Sequence, residues 1–332
     1  HIRCMSAEAK RLVLLSVVRP VMEHAAHVWN PHTKSGKAKL DSLQMALVKA
    51  CFHCAPQTSH VLVQQELGVR PMHAWTDKRQ LELWHVLQHM AADRLPAQVA
   101  RVRWAKGPGV KKAVPLWAAR SDALLQTLSI DPAQANDLKY AAFKSLVHGQ
   151  TKELHKGALE QAAAGSSVVR AYVEGVGGTD VQYAGPAGYL KGAACGKGRE
   201  LMMRLRTQSL TLKGHTGKFA RRAKGDEIDD QYHCVVCEQQ AVESGQHFVL
   251  ECEHYAQERA HMFAQLRACA QPAAMAAFEA MPIDKQLWAL LDDKLWIRAL
   301  DKEAVMEGRK VVVGVVAAFL AKAWKKRNDT MY

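Results

Sequence analysis

The chain has 332 residues, 48% of them hydrophobic, enough apolar surface for two domains or one large one and too much for a disordered tail. Its 45 Lys and Arg outnumber 32 Asp and Glu, and the resulting formal charge of +13 makes polyanions the first partner class, nucleic acid or an acidic membrane surface ahead of acidic substrates. The longest apolar run, at 311–320, is about half a membrane span and is flanked by "GRK" and "KAWKKR", so it reads as a buried helix and no membrane partner is expected.

In chain order the predicted elements are helices. Ser6 has the chemistry of an N-cap, and Leu12, Leu15, Val18, Met22, Ala25 and Trp29 recur at helical spacing, with Pro20 expected to kink or split the helix. A second helix is expected to bury Leu40, Leu43, Leu47, Ala50, Cys51 and Cys54. A third starts near Thr58 and stops at Gly68, and a fourth opens at Pro71 and buries Trp75, Leu83, Val86, Leu87 and Met90. Four successive helices with short links predict a bundle over residues 1–104.

Residues 105–190 form a middle segment. "AKGPGVKKAVP" at 105–115 is a basic connector, helical patterning returns from about Asp131 to Ala164, and 165–198 holds nine glycines. There the alternation in "VVRAYV" and "DVQY" fits either a hairpin or a loop. A basic, cysteine-bearing segment occupies 191–262, and 263–332 closes with helices marked by Leu287, Leu290, Leu291, Ile297 and Leu300, then by 302–326. The fold class expected is mainly α: a helical bundle, a Gly-rich and basic connector, a small metal-held knuckle and C-terminal helices.

The stretch from Leu12 is interrupted by Arg19 and Pro20, a poor signal peptide, and with His1 in place of Met the chain reads as an internal or C-terminal piece of something longer. Eight scattered cysteines are too few for a disulfide scaffold, so a reducing compartment, nuclear or cytoplasmic and not secreted, is expected.

The densest chemistry lies in "CVVCEQQAVESGQHFVLEC" at 234–252, which spells Cys-x2-Cys-x9-His-x4-Cys. Tetrahedral zinc takes thiolate and imidazole ligands, and a Cys-x2-Cys turn brings two sulfurs to one ion at little entropic cost. Cys234, Cys237, His247 and Cys252 are therefore the expected ligands of a structural zinc, the bland alternative being buried cysteines and a capping histidine. His233 and His254 flank the set as substitutes. Five residues apart, His247 and Cys252 diverge by about 140° on an ideal helix, so Cys252 is expected where the helix loosens. The other Cys-x2-Cys, "CFHC" at 51–54, continues an apolar helix face and reads as core. The histidines at helical spacing, among them His85 and His89, read as surface or partly buried side chains.

Between 191 and 224, ten cations (Lys191, Lys197, Arg199, Arg204, Arg206, Lys213, Lys218, Arg221, Arg222 and Lys224) face a single Glu200. Such excess, with Gly214, Thr216, Gly217 and Phe219 between the charges, favours contact with phosphate backbone over a plain solvated face; base-specific reading is not implied.

Taken together, "LLSVVRPVMEHAAHVWNP", "KLDSLQMALVKACF", "TSHVLVQQELGVRPMHAW", "MRLRTQSLTLKGH", the cysteine cluster and "FLAKAWKKR" resemble, in that order, the region after the palm in reverse transcriptases of non-LTR (LINE-type) retrotransposons. The resemblance thins between about 100 and 190. It implies a helical thumb-like domain that grips a primer–template duplex, then a zinc knuckle that helps bind template RNA or target DNA, with the polymerase palm and fingers of the parent protein as upstream partners. That family's aromatic-Ala-Asp-Asp signature, which holds the metal ions of polymerisation, is not in the sequence. Asp229-Asp230 lies in a polar linker and Asp292-Asp293 in a helical pattern; Asp284, Asp301, Glu303 and Glu307 are scattered, so a nuclease is not expected either. The fragment is thus expected to be non-catalytic, its parent an RNA-directed DNA polymerase, and the alternative class is a zinc-stabilised helical protein-interaction module.

Overall fold

The structure, a computed structural model, describes residues 5–101, 104–105, 114–115, 117–179, 186–191, 196–213, 232–292, 296 and 302–331. It is mainly helical, as the periodicity predicts. Helix α1 (Ala7–Val13) is capped by the Ser6 hydroxyl, which accepts from the Ala9 amide at 3.2 Å. Pro20 has no amide hydrogen, and its ring would strike the carbonyl four residues back. The chain widens to accommodate it: Leu14–Val18 forms a π turn in which the Arg19 amide reaches the Leu14 carbonyl, and α2 (Arg19–Glu23) restarts with Pro20 in its first turn. After α3 (Ala26–Trp29), Thr33 caps α4 (Lys34–Cys51).

Two helices present a different face from the one predicted. Helix α4 buries Gln44, Met45 and Val48 and leaves Leu43 and Leu47 55% and 40% exposed. Gln44 sits inside because it donates to the Arg70 carbonyl at 3.0 Å. Helix α5 (His60–Leu67) ends, as expected, on Gly68 in the left-handed region (φ 57°). Helix α6 (Met72–Gln88) begins after Pro71 and buries Leu81, Trp84, His85 and Leu87, whereas Trp75, Leu83 and Met90 are half-buried and Val86 is exposed. Its inward face is partly polar and satisfied: Gln80 donates to Ser121 Oγ at 2.8 Å, and His85 Nε2 donates to the Leu138 carbonyl at 2.8 Å. A count of apolar residues cannot find such a face.

Next come α7 (Leu95–Arg101), a two-residue antiparallel ladder of β1 (Trp104–Ala105) with β2 (Val114–Pro115), α8 (Trp117–Thr127), α9 (Pro132–Asp137) and α10 (Tyr140–Gly165). These helices close on α6 around Leu81, Trp84, Leu125, Phe143 and Val147. "VVRAYV" is helical, not a hairpin: α11 (Ser167–Val176) is capped by Ser166 and buries Val169 and Tyr172, whose spacing of three shares one face of a helix but opposite faces of a strand. "DVQY" lies outside the described residues.

Among the described residues the remaining α-helices are α12 (Gly196–Arg206), α13 (Ala256–Cys269), α14 (Pro272–Glu279), α15 (Ile283–Leu291) and α16 (Lys302–Met331). Ile297 and Leu300 lie outside the described residues, while Leu290 and Leu291 are buried. One apolar cluster unites Met45 and Val48 of α4, Leu201 to Met203 of α12, Phe248, Met262 of α13, and Val316 and Leu320 of α16. The first and the last two sequence segments therefore share a core, and α12 runs through it. Helices α12 and α16 cross at Gly198, where any Cβ would fall on the Ala317 carbonyl. Gly175 on α11 is pressed in the same way against the Trp288 ring.

Candidate metal centre

A short hairpin carries the first pair of cysteines. His233 and Val242 form an antiparallel bridge, the Cys234 amide donates to the Ala241 carbonyl at 2.8 Å, and Gln240 takes a left-handed φ of 50° to turn the chain. The second pair comes from the segment after Ser244, whose hydroxyl accepts from the His247 amide at 3.0 Å. His247–Glu251 is a π turn, and the Cys252 amide bonds to the His247 carbonyl at 2.7 Å. Bonding five residues back places residue i+5 almost over residue i, which answers the divergence an ideal α-helix would impose. The loosening expected at Cys252 is this turn.

All four donors lie within 4.8 Å of one another. The Cys234 and Cys252 sulfurs are 3.9 Å apart, and the Cys237 sulfur is 3.3 Å from His247 Nε2. These are edge lengths of a tetrahedron about a single ion with bonds of about 2.0–2.3 Å. His247 Nδ1 lies 3.8 Å from the exposed Glu251 carboxylate, too far for a hydrogen bond. The group can hold a metal ion, and among the described residues no other cluster of ligand side chains is so placed. The hydrogen bond between the two sulfurs pushes the Cys234 thiol down and the Cys252 thiol up.

The knuckle is bolted to the helices around it. Arg259 donates to the Cys252 carbonyl at 3.0 Å and closes the π turn. Phe248 packs edge-on against Tyr255 and Trp324, at 5.0 and 6.0 Å between ring centres. Glu243, 1% exposed, takes two hydrogen bonds from Arg327 of α16 at 2.6 and 2.9 Å and a third from the Lys213 amide at 2.8 Å. Of the flanking histidines, His233 lies in the hairpin bridge and His254 stacks edge-on with Tyr255, its Nε2 3.5 Å from Thr330 Oγ1. Cys54 is a core side chain whose thiol burial pushes up to about 11.

The basic segment departs from expectation. Lys197 is exposed and Lys213 half-buried, but Arg199, Arg204 and Arg206 are 4%, 8% and 4% exposed and turned inward. Arg199 donates to the Tyr189 and Lys191 carbonyls at 2.5 Å, Arg204 lies 5.8 Å over the Trp324 ring, and Arg206 pairs with Glu66 at 2.8 Å. These three are thereby corrected from phosphate contacts to core contacts: α12 is buried from Gly198 to Arg206, so its guanidiniums answer carbonyls, a carboxylate and rings. Lys218, Arg221, Arg222 and Lys224 lie outside the described residues. Sequence reading missed the acidic partners altogether. Glu66, Glu200 and Glu243 are ordinary helix- or loop-type glutamates by pattern, and only the fold sets Lys10 against Glu200 and Arg327 against Glu243.

Comparison of the chain with models of known protein families, with curated proteins and with solved structures finds no match.

Proposed function

We propose that the chain is a non-catalytic nucleic-acid-binding portion of a reverse transcriptase of the non-LTR retrotransposon class, stabilised by one structural zinc. The observation that carries this reading is the convergence of Cys234, Cys237, His247 and Cys252 on one point in a chain of formal charge +13. Three thiolates and an imidazole are a donor set that suits Zn²⁺, and four protein ligands fill its coordination, so the ion shapes the knuckle and does no chemistry. The partners are RNA or DNA through phosphate contacts, with Lys197, Lys213 and the 218–224 cations as contributors, and the palm and fingers of the parent polymerase. Thiolate ligands suit a nuclear or cytoplasmic compartment. Among the described residues no helix is long and apolar enough to cross a membrane.

The test is fluorescence anisotropy with labelled RNA and DNA across a salt series, with and without chelation of zinc. Tight binding that falls steeply between about 50 and 200 mM salt and drops in the Cys234→Ser/Cys237→Ser variant supports the reading. Absence of binding at low salt in folded, zinc-loaded protein overturns it.

A second reading, a protein-interaction module of the same origin, draws support from the inward turn of Arg199, Arg204 and Arg206 and from the exposure of Leu12, Val17, Val21 and Leu43 at 55–76%. Binding through those apolar faces would change little with salt.

A further inference from the structure

A basic row of two lysines and a histidine runs along α10. Lys144, His148 and Lys152 recur every four residues, so they stand about 6 Å apart along the helix and spread over roughly 80° of its circumference. Each follows by one position a buried residue, Phe143, Val147 or Thr151, so the row borders the seam where α10 packs on α6. His148 and Lys152 are exposed, and the Lys144 side chain is 43% exposed.

The α6 side of the seam adds a half-buried cation, Lys78, and beneath the surface a buried one, Arg70, which is 5% exposed. The Arg70 guanidinium touches the His148 ring and lies 5.2 Å over Trp75, and the Lys78 ammonium is 5.9 Å from the same ring. Lys78 and Lys144 reach toward one carboxylate, Glu82, at 3.7 and 3.9 Å. Burial, then Arg70, Lys78 and Lys152, hold the His148 imidazole below its ordinary pKa, so it meets phosphate as a neutral hydrogen-bond donor. Lys144, Lys152 and Lys78 gathered along one seam, with Arg70 beneath, repel one another, and a polyanion laid along the seam relieves that repulsion.

We propose that the α6–α10 seam binds the phosphodiester backbone of a nucleic-acid strand, Lys144, His148 and Lys152 meeting successive phosphates at about one per helical turn. The contacts are to phosphate, so they fix the path of the strand and read no bases. The inference rests on the chain being a nucleic-acid binder, and it supplies a phosphate contact surface outside residues 191–224.

The experiment compares wild-type protein with two double variants of equal charge change, Lys144→Gln/Lys152→Gln on the row and Lys34→Gln/Lys39→Gln on the exposed side of α4, by anisotropy with a short labelled RNA strand. The row variant is expected to bind roughly tenfold more weakly at low salt, with a salt slope shallower by about 1.4, while the α4 variant keeps the wild-type slope. Equal behaviour of the two variants, or a row variant that binds like wild type, overturns the seam and leaves the proposed function standing. Wild-type protein that binds no RNA at low salt overturns both. Should the row variant melt below wild type, the solvent-exposed Lys152→Gln alone carries the comparison, with about half the slope change expected.

Discussion

Glu66 and Arg206, 140 residues apart in the chain, meet in the core with Arg206 Nε 2.8 Å from Glu66 Oε1. Tyr172 donates to the same carboxylate at 2.6 Å, as does Tyr189, and Arg206 goes on to the Leu291 carbonyl at 3.1 Å and Asp292 at 3.4 Å. Burial works against the guanidinium's charge, but Glu66, the two tyrosines and Asp292 outweigh it and raise its pKa above the ordinary value. Both tyrosine hydroxyls are pushed well up by burial and then by Glu66, so they stay donors. One ion pair thus joins α5, α11, α12 and the end of α15.

Arg206→Met leaves the Glu66 carboxylate buried with no cation, and a loss of about 3–5 kcal/mol is expected in urea denaturation. The Glu66→Gln/Arg206→Met double variant should lose less than the two single losses added together, because neither partner is left as an unpaired charge. Additive losses would show that the two do not interact.

Two glycines separate backbone from side-chain crowding. Gly198→Ala drives a methyl into the Ala317 carbonyl, so α12 and α16 must part, and about 1–3 kcal/mol is lost. Gly175→Ala meets the Trp288 ring instead. Trp288→Leu is expected to recover part of the Gly175→Ala loss in thermal melts, and no side-chain change at Ala317 should recover Gly198→Ala.

Acid should destabilise the fold through His155. Burial, then His73 and Arg70, lower its pKa to about 4. The unfolded chain, near 6.5, takes up a proton that the folded chain refuses between these values, so stability is full above about pH 6.5 and falls as pH drops toward 4, by about 3 kcal/mol at most. His155→Gln should flatten the urea midpoint against pH over that window. An unchanged slope would place the acid sensitivity elsewhere.

Metal removal should unpack more than the knuckle. Phe248, between the ligands and Trp324, loses its seat when His247 and Cys252 are released, so chelation is expected to change Trp324 fluorescence and expose the core to a hydrophobic dye. Returning one equivalent of Zn²⁺ should restore both signals. A chelated protein with wild-type fluorescence would mean the knuckle folds without its ion.

The helices of the first ninety residues, the Ser6 cap, the Gly68 stop and the four side chains that could hold a metal ion are legible in the sequence because each rests on a local rule of spacing or capping, whereas α8, α11, α13 and α14 are not. Even the π turn at His247 is foreshadowed by a five-residue spacing that an α-helix cannot bring to one face. What stays hidden depends on distant partners. Leu43 and Leu47 face out because Gln44 has a carbonyl to bond inside, and Arg199, Arg204 and Arg206 face in because carbonyls, Trp324 and Glu66 wait for them. Arg204 and Arg206, whose partners lie 120 and 140 residues away, look solvent-bound when read beside their neighbours alone.

The pairing of Glu243 with Arg327 also orders events in time. The carboxylate that anchors the knuckle finds its guanidinium 84 residues later, so a ribosome must build α13 to α15 and most of α16 before the anchor exists. A knuckle that captures its ion during synthesis does so on an unfinished platform, and its grip on the metal is expected to tighten only as the last helix docks.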